Sequence, residues 1–282
     1  MISSIIFSKD RALQLDLLLN SIYQNFKETV DDVRVIWTAS SPAFETAYNQ
    51  VKFEHRNVIF KKQTDSFFKD LYENVCVAHN KYICFFTDDD IVYRQVTFDA
   101  TCEKALNDPA FVCYSLRLGT NTIHRDVDGQ KYTDVLPMLY QYDNMITWNR
   151  TSIAQGGYWA YPFSVDGHIF RKQDLMHISE LMMYWAKIEK FKENPNQLEA
   201  KMQRFNSEYG AMMLCDSFSS VVNTPNNRVQ NEFQNRSGDH YCVSQDYCNN
   251  LYLSGKRIKM DDINFDNITK PHTELDILRG IK

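Results

Sequence analysis

The sequence predicts an α/β fold, a Rossmann-like, doubly wound mixed sheet with a C-terminal lobe. In the first ninety residues, four short apolar, β-prone runs alternate with segments of helical periodicity. Strands joined through helices are expected to run parallel, with right-handed crossovers. No repeat or low-complexity linker divides the 282 residues. We therefore expect a single domain, with residues 1–100 forming one half and residues 101–282 forming a second half that faces the same edge of the sheet.

Each early element has a local signal. Residues 2–8 form a continuous apolar run bounded by polar residues, as in a buried strand. The next segment repeats apolar residues at helical spacing, namely Leu15, Leu18, Leu19, Ile22 and Phe26. Pro42 suits the first turn of a second helix, and Asp65 or Ser66 can cap a third. The remaining early elements are expected as strands at 33–39, 58–60 and 82–86 and helices at 42–53 and 67–80.

The second half gives weaker signals. An apolar run at 110–118 predicts a strand, and residues 119–135 are expected to form a polar loop. A helix is expected at 175–192, and it should end before Asn194-Pro195. The other expected elements are a polar helix at 196–208, a strand pair within 211–222 and a helix at 244–254.

The composition is typical of a soluble globular enzyme. Hydrophobic residues make up 44% and charged residues 24%, which argues against a disordered chain. The net charge of −5 argues against nucleic acid as a partner. The apolar runs are too short for a transmembrane helix, and the first residues do not resemble a signal peptide. The seven cysteines form no Cys-x-x-Cys pair, which argues against structural zinc and indicates a reducing compartment. We expect a cytoplasmic protein, in a bacterium or a virus-infected cell.

Three consecutive carboxylates, Asp88, Asp89 and Asp90, follow the fourth predicted strand. Such charges repel one another and are hard to desolvate unless a cation lies among them. Oxygen ligands suit a hard divalent ion such as Mg²⁺ or Mn²⁺. Ligands of doubly wound sheets bind beyond the carboxyl ends of the strands, where this triplet is expected. The triplet therefore predicts a metal site, with a solvated acidic turn as the alternative.

The first predicted strand ends in Ser8-Lys9-Asp10-Arg11 and the fourth in Thr87-Asp88-Asp89-Asp90. This pattern resembles the nucleotide-binding half of GT-A glycosyltransferases, in particular the family 2-like group, over about residues 2–100. Asp88-x-Asp90 has the spacing of that family's Asp-x-Asp metal motif. The first strand departs from the family's usual Pro-Thr-Tyr-Asn ending. No Gln-x-x-Arg-Trp pattern is present, so the resemblance is to non-processive enzymes.

The resemblance implies metal-dependent transfer of a hexose from a nucleotide sugar, with UDP as the expected nucleotide, to a glycan or other hydroxyl acceptor. It implies that Asp88 contacts the ribose and that Asp89 or Asp90 binds Mn²⁺ or Mg²⁺. His240 is the first candidate to complete the metal shell, and His168 is the other. Candidates for nucleotide binding are Phe7, Ser8, Lys9, Arg11, Thr38, Ala39 and Lys69. For each of these, packing or a solvated surface position is the alternative.

An inverting mechanism needs a general base near the acceptor hydroxyl. Asp166 is the first candidate, because it precedes Gly167 on the segment where the family carries its catalytic carboxylate, and Asp143 and Asp239 are weaker candidates. Inversion and retention both stay open. Aromatic residues that could stack on an acceptor sugar, although they are also ordinary core material, are Trp148, Tyr158, Trp159 and Tyr161.

Two other functions are compatible with the same core. A nucleotidyltransferase would need a glycine-rich loop after the first strand, and Ser8-Lys9-Asp10-Arg11 contains no glycine. A non-catalytic nucleotide-binding or glycan-binding module could use the acidic triplet as a structural ion site.

Overall fold

The computed structural model describes residues 1–127, 130–133, 136–153, 157–229 and 237–281. The strands of this part are β1 (Ile2–Lys9), β2 (Val30–Thr38), β3 (Ile59–Lys62), β4 (Tyr82–Thr87), β5 (Asp90–Val92), β6 (Phe111–Ser115), β7 (His124–Val127), β8 (Gln130–Thr133), β9 (Tyr140–Tyr142), β10 (Met145–Asn149), β11 (His168–Arg171), β12 (Met212–Cys215) and β13 (Val221–Asn223). The helices are α1 (Ala12–Asn25), α2 (Pro42–Glu54), α3 (Phe67–Val77), α4 (Ala100–Asn107), α5 (Lys172–Glu189), α6 (Pro195–Met202) and α7 (Gln245–Leu253).

A nine-stranded mixed sheet has the order β3-β2-β1-β4-β11-β6-β12-β10-β9. The first four of these strands are parallel, as the alternation of strands and helices predicts. Pro42 lies in the first turn of α2, and Ser66 caps α3 by accepting the Lys69 N–H. The carboxyl ends of β1, β2 and β4 therefore meet at one edge of the sheet, with the acidic triplet directly after β4.

An antiparallel strand, β11, lies between β4 and β6. His168, at the start of β11, is opposite Phe85 near the end of β4 and opposite Ser115 at the end of β6. The chain just before β11 and the chain just after β6 thus reach the same edge as the acidic triplet. This reversal brings Asp166 to the ligand edge.

Two hydrophobic cores cover the two faces of the sheet, because alternate residues of a strand point to opposite sides. Cys84 and Phe86 of β4 belong to a core that includes apolar residues of α1, α2 and α7. Ile83 and Phe85 belong to the other core, with residues of α3, α5 and α6. All four β4 side chains are at most 1% exposed. The sheet is doubly wound, as predicted.

Several expectations for the second half were wrong in detail. The two strands within 211–222 do not pair with each other: β12 joins the main sheet, whereas β13 pairs with β5. The helix expected at 196–208 is shorter, because α6 ends at Met202 and a 3-10 turn follows. The expected loop at 119–135 contains the β7–β8 hairpin. Among the described residues, no helix is both long enough and apolar enough to cross a membrane.

Candidate active site

Asp88 is buried at the end of β4 and is held by the last residues of β1 together with Arg11. Its Oδ2 accepts hydrogen bonds from Ser8 Oγ and from the Lys9 backbone N–H, both at 2.9 Å. Its Oδ1 accepts from Arg11 Nη1 at 2.9 Å. Burial raises the pKa of Asp88 to about 6, although Arg11 opposes the shift. The Asp88 carboxylate is therefore fixed by one segment of the chain, the end of β1 and Arg11.

Asp89 shares the same arginine. Arg11 Nη1 lies 2.8 Å from Asp89 Oδ2, so this guanidinium bridges the first two carboxylates of the triplet. Asp89 Oδ1 accepts from Thr87 Oγ1 and from Asn223 Nδ2, both at 2.9 Å. Arg11 is itself buried, with 7% of its surface exposed. Its guanidinium supplies a positive charge among the aspartates, where the sequence predicts a metal ion.

Asp90 points into the fold. It is fully buried, and it accepts hydrogen bonds from the Thr87 backbone N–H at 2.8 Å and from Asn223 Nδ2 at 3.1 Å. Burial raises the pKa of Asp90 well above its ordinary value, and the charges of Asp166 and Asp89 raise it further. These contacts fit a residue that organises the loop, and they leave Asp89 as the better placed metal candidate of the two.

Asp166 lies beside Asp89 at the ligand edge. The following residue, Gly167, has φ of 68°, a left-handed conformation that favours glycine. Thr87 Oγ1 lies 3.0 Å from Asp166 Oδ1 and 2.9 Å from Asp89 Oδ1. A hydroxyl has one hydrogen, so it can satisfy only one of the two carboxylates at a time. Burial raises the pKa of Asp166, with Asp89 as a further cause and Arg117 opposing it.

A second buried arginine, Arg117, holds Asp166. Its Nη1 donates to Asp166 Oδ2 at 2.9 Å, and its Nη2 lies 3.0 Å from His272 Nε2. Arginine can only donate, so His272 Nε2 must accept, and its Nδ1–H must donate to Asn223 Oδ1 at 3.1 Å. Desolvation and the charge of Arg117 lower the pKa of His272 well below its ordinary value, in keeping with this neutral tautomer.

Glu199 of α6 is a further carboxylate near Asp166. Its Oε1 accepts from the Val165 backbone N–H at 3.3 Å. Burial raises the pKa of Glu199 to about 7, and the charge of Asp166 is the next cause. Ser164, which also accepts a hydrogen bond from Arg117, lies between these groups.

The donor atoms suit a hard divalent cation. Asp88, Asp89 and Asp166 offer carboxylate oxygens, the ligands that Mg²⁺ and Mn²⁺ prefer. With Asp90 and Glu199, these acids outnumber the two arginines around them, so a cation would relieve the repulsion that adds to burial in raising their pKa values. In the part of the chain described, no three His, Cys, Asp or Glu side chains converge as a metal-ligand group. Arg11 lies between Asp88 and Asp89 instead.

The predicted nucleotide-binding residues separate into two groups. Ser8 and Arg11 contact Asp88, and Lys9 does so through its backbone. Phe7 is 3% exposed and packs on Phe67 and Phe85 in the core, so it does not frame a ligand. The members without a contact to the aspartates are Thr38 and Ala39, half-buried at the end of β2, and Lys69, an exposed residue whose ammonium lies 3.9 Å from Glu73.

The structure does not bring His240 or His168 to the aspartates. His240 is exposed in a loop, where its backbone N–H donates to Glu274. His168 is buried, and its Nδ1 lies 2.9 Å from the Pro162 carbonyl. Burial lowers the pKa of His168 to about 3. The histidine that does reach the site is His272, which the sequence reasoning missed.

The four aromatic candidates also divide. Trp148 is fully buried and donates from Nε1 to the Trp159 carbonyl, and Trp159 is 2% exposed. Neither indole presents a face to solvent, so both are core residues. Tyr158 and Tyr161 are half-buried, and Tyr158 lies over Arg117 with the guanidinium 5.3 Å from the ring centre. For these two tyrosines, the stacking role stays a prediction.

The competing base candidates lie away from the site. Asp143 lies in the turn between the edge strand β9 and its neighbour β10, and Asp239 is exposed in the loop that contacts Glu274. Sequence reasoning missed several residues of the site, because each is an isolated polar residue in a segment without a motif. They are Arg117, Ser164, Glu199, Asn223, Asn227 and His272.

No protein-family model matches the sequence. A curated protein, the bifunctional glycosyltransferase pgtA of Dictyostelium discoideum, is 25% identical over 277 residues, a match that covers 90% of this chain and 35% of that protein. This chain therefore spans about a third of the relative's length. The predicted resemblance to glycosyltransferases is confirmed by this similarity, and the predicted α/β class is confirmed by the large mixed sheet with helices on both faces.

Two solved structures match parts of this chain at low sequence identity and low TM-score. The mannosyltransferase PcManGT of Pyrobaculum calidifontis, solved with GDP-Man and Mn²⁺, is 16% identical with a TM-score of 0.33, over 43% of this chain and 36% of its own. The 4-diphosphocytidyl-2C-methyl-D-erythritol synthase of Anaerococcus prevotii is 12% identical with a TM-score of 0.42, over 90% of this chain and 96% of its own.

Proposed function

We propose that this chain is a metal-dependent glycosyltransferase that moves a hexose from a nucleotide sugar, with UDP as the expected nucleotide, to a hydroxyl acceptor such as a glycan. The similarity to a glycosyltransferase over 90% of the chain supports the reaction class. One structural observation carries the proposal further. Asp89 and Asp166, from distant parts of the sequence, share the hydroxyl of Thr87 at the ligand edge of the sheet.

Two neighbouring carboxylates with different partners suit the two tasks of the reaction. Asp89 belongs to the triplet and would hold Mn²⁺ or Mg²⁺ together with Asp88. When bound, the ion would act as a Lewis acid that stabilises charge on the diphosphate leaving group. Asp88, anchored by Ser8 and the Lys9 N–H, would face the ribose. Arg11, held between the aspartates, would also neutralise charge on the donor.

Asp166 would be the general base in an inverting reaction. Its Oδ2 is held by Arg117, which orients the carboxylate, while its Oδ1 faces Thr87. A base must be deprotonated to accept the hydroxyl proton, and the ion pair with Arg117 favours the charged form. Tyr158 and Tyr161 lie on the segment before Asp166 and would pack on the acceptor ring. Glu199, close to the same arginine, is the second candidate for the base.

The direct test is a turnover assay with UDP- and GDP-hexoses, Mn²⁺ and a panel of sugar acceptors. We expect release of a nucleoside diphosphate and formation of a glycoside, and we expect both to stop in the Asp89→Ala, Asp90→Ala double variant. Full activity in that variant would remove the metal role of the triplet. Pyrophosphate release from a nucleoside triphosphate and a sugar phosphate would indicate a nucleotidyltransferase, and binding without turnover would indicate a non-catalytic module.

The cytoplasmic location stays a prediction from the cysteine pattern.

A further inference from the structure

Asn227 lies on the far side of Arg11 from the aspartates. Its Oδ1 accepts from Arg11 Nε at 2.7 Å, and its backbone carbonyl accepts from Arg11 Nη2. Because arginine only donates, the side-chain oxygen of Asn227 must face Arg11, which fixes the orientation of the amide group. Asn227 is 6% exposed, and its Nδ2 has no hydrogen-bond partner among the residues that the structure describes.

A buried amide donor without an acceptor is unfavourable, and folded proteins satisfy nearly all such groups. Other buried polar atoms in the described ranges also lack a partner, for example Gln14 Oε1. Asn227 differs because it hydrogen-bonds the arginine that bridges Asp88 and Asp89. The amide with these unused N–H groups is therefore connected to the carboxylates of the candidate active site through the Arg11 guanidinium. A ligand that enters this site would have to bring an acceptor oxygen to satisfy them.

We propose that Asn227 is a nucleotide-binding residue, whose side-chain amide donates a hydrogen bond to a ribose or phosphate oxygen of a nucleoside diphosphate. The inference rests on the proposed function, which supplies a nucleotide as the ligand. Both parts of such a ligand are rich in acceptor oxygens. Arg11 connects Asn227 to the carboxylates, and the carboxylates alone cannot bind anionic oxygens. Asn227 thus extends the nucleotide site from the first strand end to the C-terminal part of the chain.

Two substitutions separate the donor role from a role in anchoring Arg11. Asn227→Asp keeps an oxygen for Arg11 Nε and loses the N–H donor, but adds a negative charge. Asn227→Ala adds no charge but removes the anchor. The side effect is therefore an added charge in Asn227→Asp and a lost contact to Arg11 in Asn227→Ala. Loss of the N–H donor is the one change that both variants share. Asn226→Ala is the matched control, because the Asn226 amide already donates to the Leu275 carbonyl at 2.8 Å.

The measurement is the Kd of UDP and of GDP with saturating Mn²⁺, by calorimetry on the full chain, with a thermal melt of each variant. We expect the Kd for the nucleotide to rise by about 3- to 30-fold in both Asn227 variants, as for loss of a hydrogen bond. Both variants should remain folded. Asn226→Ala should bind the nucleotide within about twofold of wild type, because no N–H to the ligand is lost.

Three results would overturn the inference: wild-type affinity in both Asn227 variants, weakening in Asn227→Ala alone, which indicates only an anchor for Arg11, or weakening in Asn227→Asp alone, which indicates only charge repulsion. If the wild-type protein binds neither UDP nor GDP, the proposed function itself fails, and the inference fails with it.

Discussion

Two arginine–carboxylate pairs face each other across Thr87, and they are built in different ways. Arg11 pairs with Asp88 and Asp89 on the side of β1, and Arg117 pairs with Asp166 on the side of β6. The first pair joins the ends of two adjacent parallel strands, β1 and β4, that are both predicted by simple apolar runs. The second pair joins two irregular segments, one just after β6 and one just before the antiparallel strand β11.

The partners of the two aspartates show the same contrast. Asp88 takes its hydrogen bonds from Ser8, Lys9 and Arg11, which lie within four consecutive residues at and just after the end of β1. Asp166 takes its bonds from Thr87 and Arg117, which are separated in the sequence and meet only in the folded chain. Both sides therefore depend on tertiary contacts, but the partners of Asp88 come from one segment of the chain and those of Asp166 come from two.

The largest expected effect is on the Arg117 side. Asp166→Asn keeps the shape of the side chain but removes the proposed base, so transfer should fall by about 10²- to 10⁴-fold. Nucleotide affinity should change little, because the Arg11 side is untouched. The check is kcat for transfer together with the Kd of UDP in Mn²⁺. Asp143→Asn, in a turn distant from the site, is the control. Unchanged transfer in Asp166→Asn would direct attention to Glu199 as the base.

The next effect distinguishes two neighbours on the Arg11 side. Asp89→Asn should weaken Mn²⁺-dependent nucleotide binding by about tenfold or more, as for loss of a metal-site group. Asp90→Asn should instead lower the free energy of unfolding by about 1–3 kcal/mol, because an amide cannot accept from both the Thr87 N–H and Asn223. Urea titrations and Mn²⁺ titrations of both variants measure the two quantities. The reverse pattern would make Asp90 the metal ligand.

A smaller effect compares two late histidines. His272→Ala removes the acceptor of Arg117 Nη2 and the donor to Asn223, so transfer should fall by about tenfold, the loss typical of groups that orient a site. His240→Ala changes an exposed loop side chain and should leave both transfer and Mn²⁺ affinity near wild type. Activity assays and Mn²⁺ titrations compare the two variants. A loss confined to His240→Ala would restore that residue as the metal ligand.

The smallest expected effect is a pH dependence of stability through Glu199. Its pKa is about 7 in the folded state against an ordinary 4.5, so between these values the folded state binds more protons than the unfolded state. The free energy of unfolding should therefore fall as pH rises from about 4.5 to about 7, and Glu199→Gln should lack this component. The full shift corresponds to about 3 kcal/mol, and solvent screening of the half-buried side chain reduces the expected component to about 1–2 kcal/mol. Urea titrations at pH 5 and pH 8 with EDTA measure the difference. An identical pH response in the two proteins would show that Glu199 is not so perturbed.

The sequence by itself determined the N-terminal half of the fold and the acidic part of the site. Continuous apolar runs, helical periodicity, Pro42 in the first turn of α2 and the cap at Ser66 are local signals, and local physics enforces them. Parallel pairing then placed the ends of β1 and β4 side by side, so Ser8, Arg11 and Asp88 could be grouped from their positions alone. The pattern also selected Asp166, although not the strand that follows it.

Only the tertiary structure decided the rest of the site. The antiparallel direction of β11 brings Asp166 beside Thr87, and the pairing of β13 with β5 brings Asn223 onto Asp89 and Asp90. Tertiary packing also buries Trp148 and Trp159. It places His272, and not His240, in contact with Arg117 and Asn223. Contacts between segments that the pattern of strands and helices does not pair have no local signature, because the unfolded chain between them can adopt many conformations.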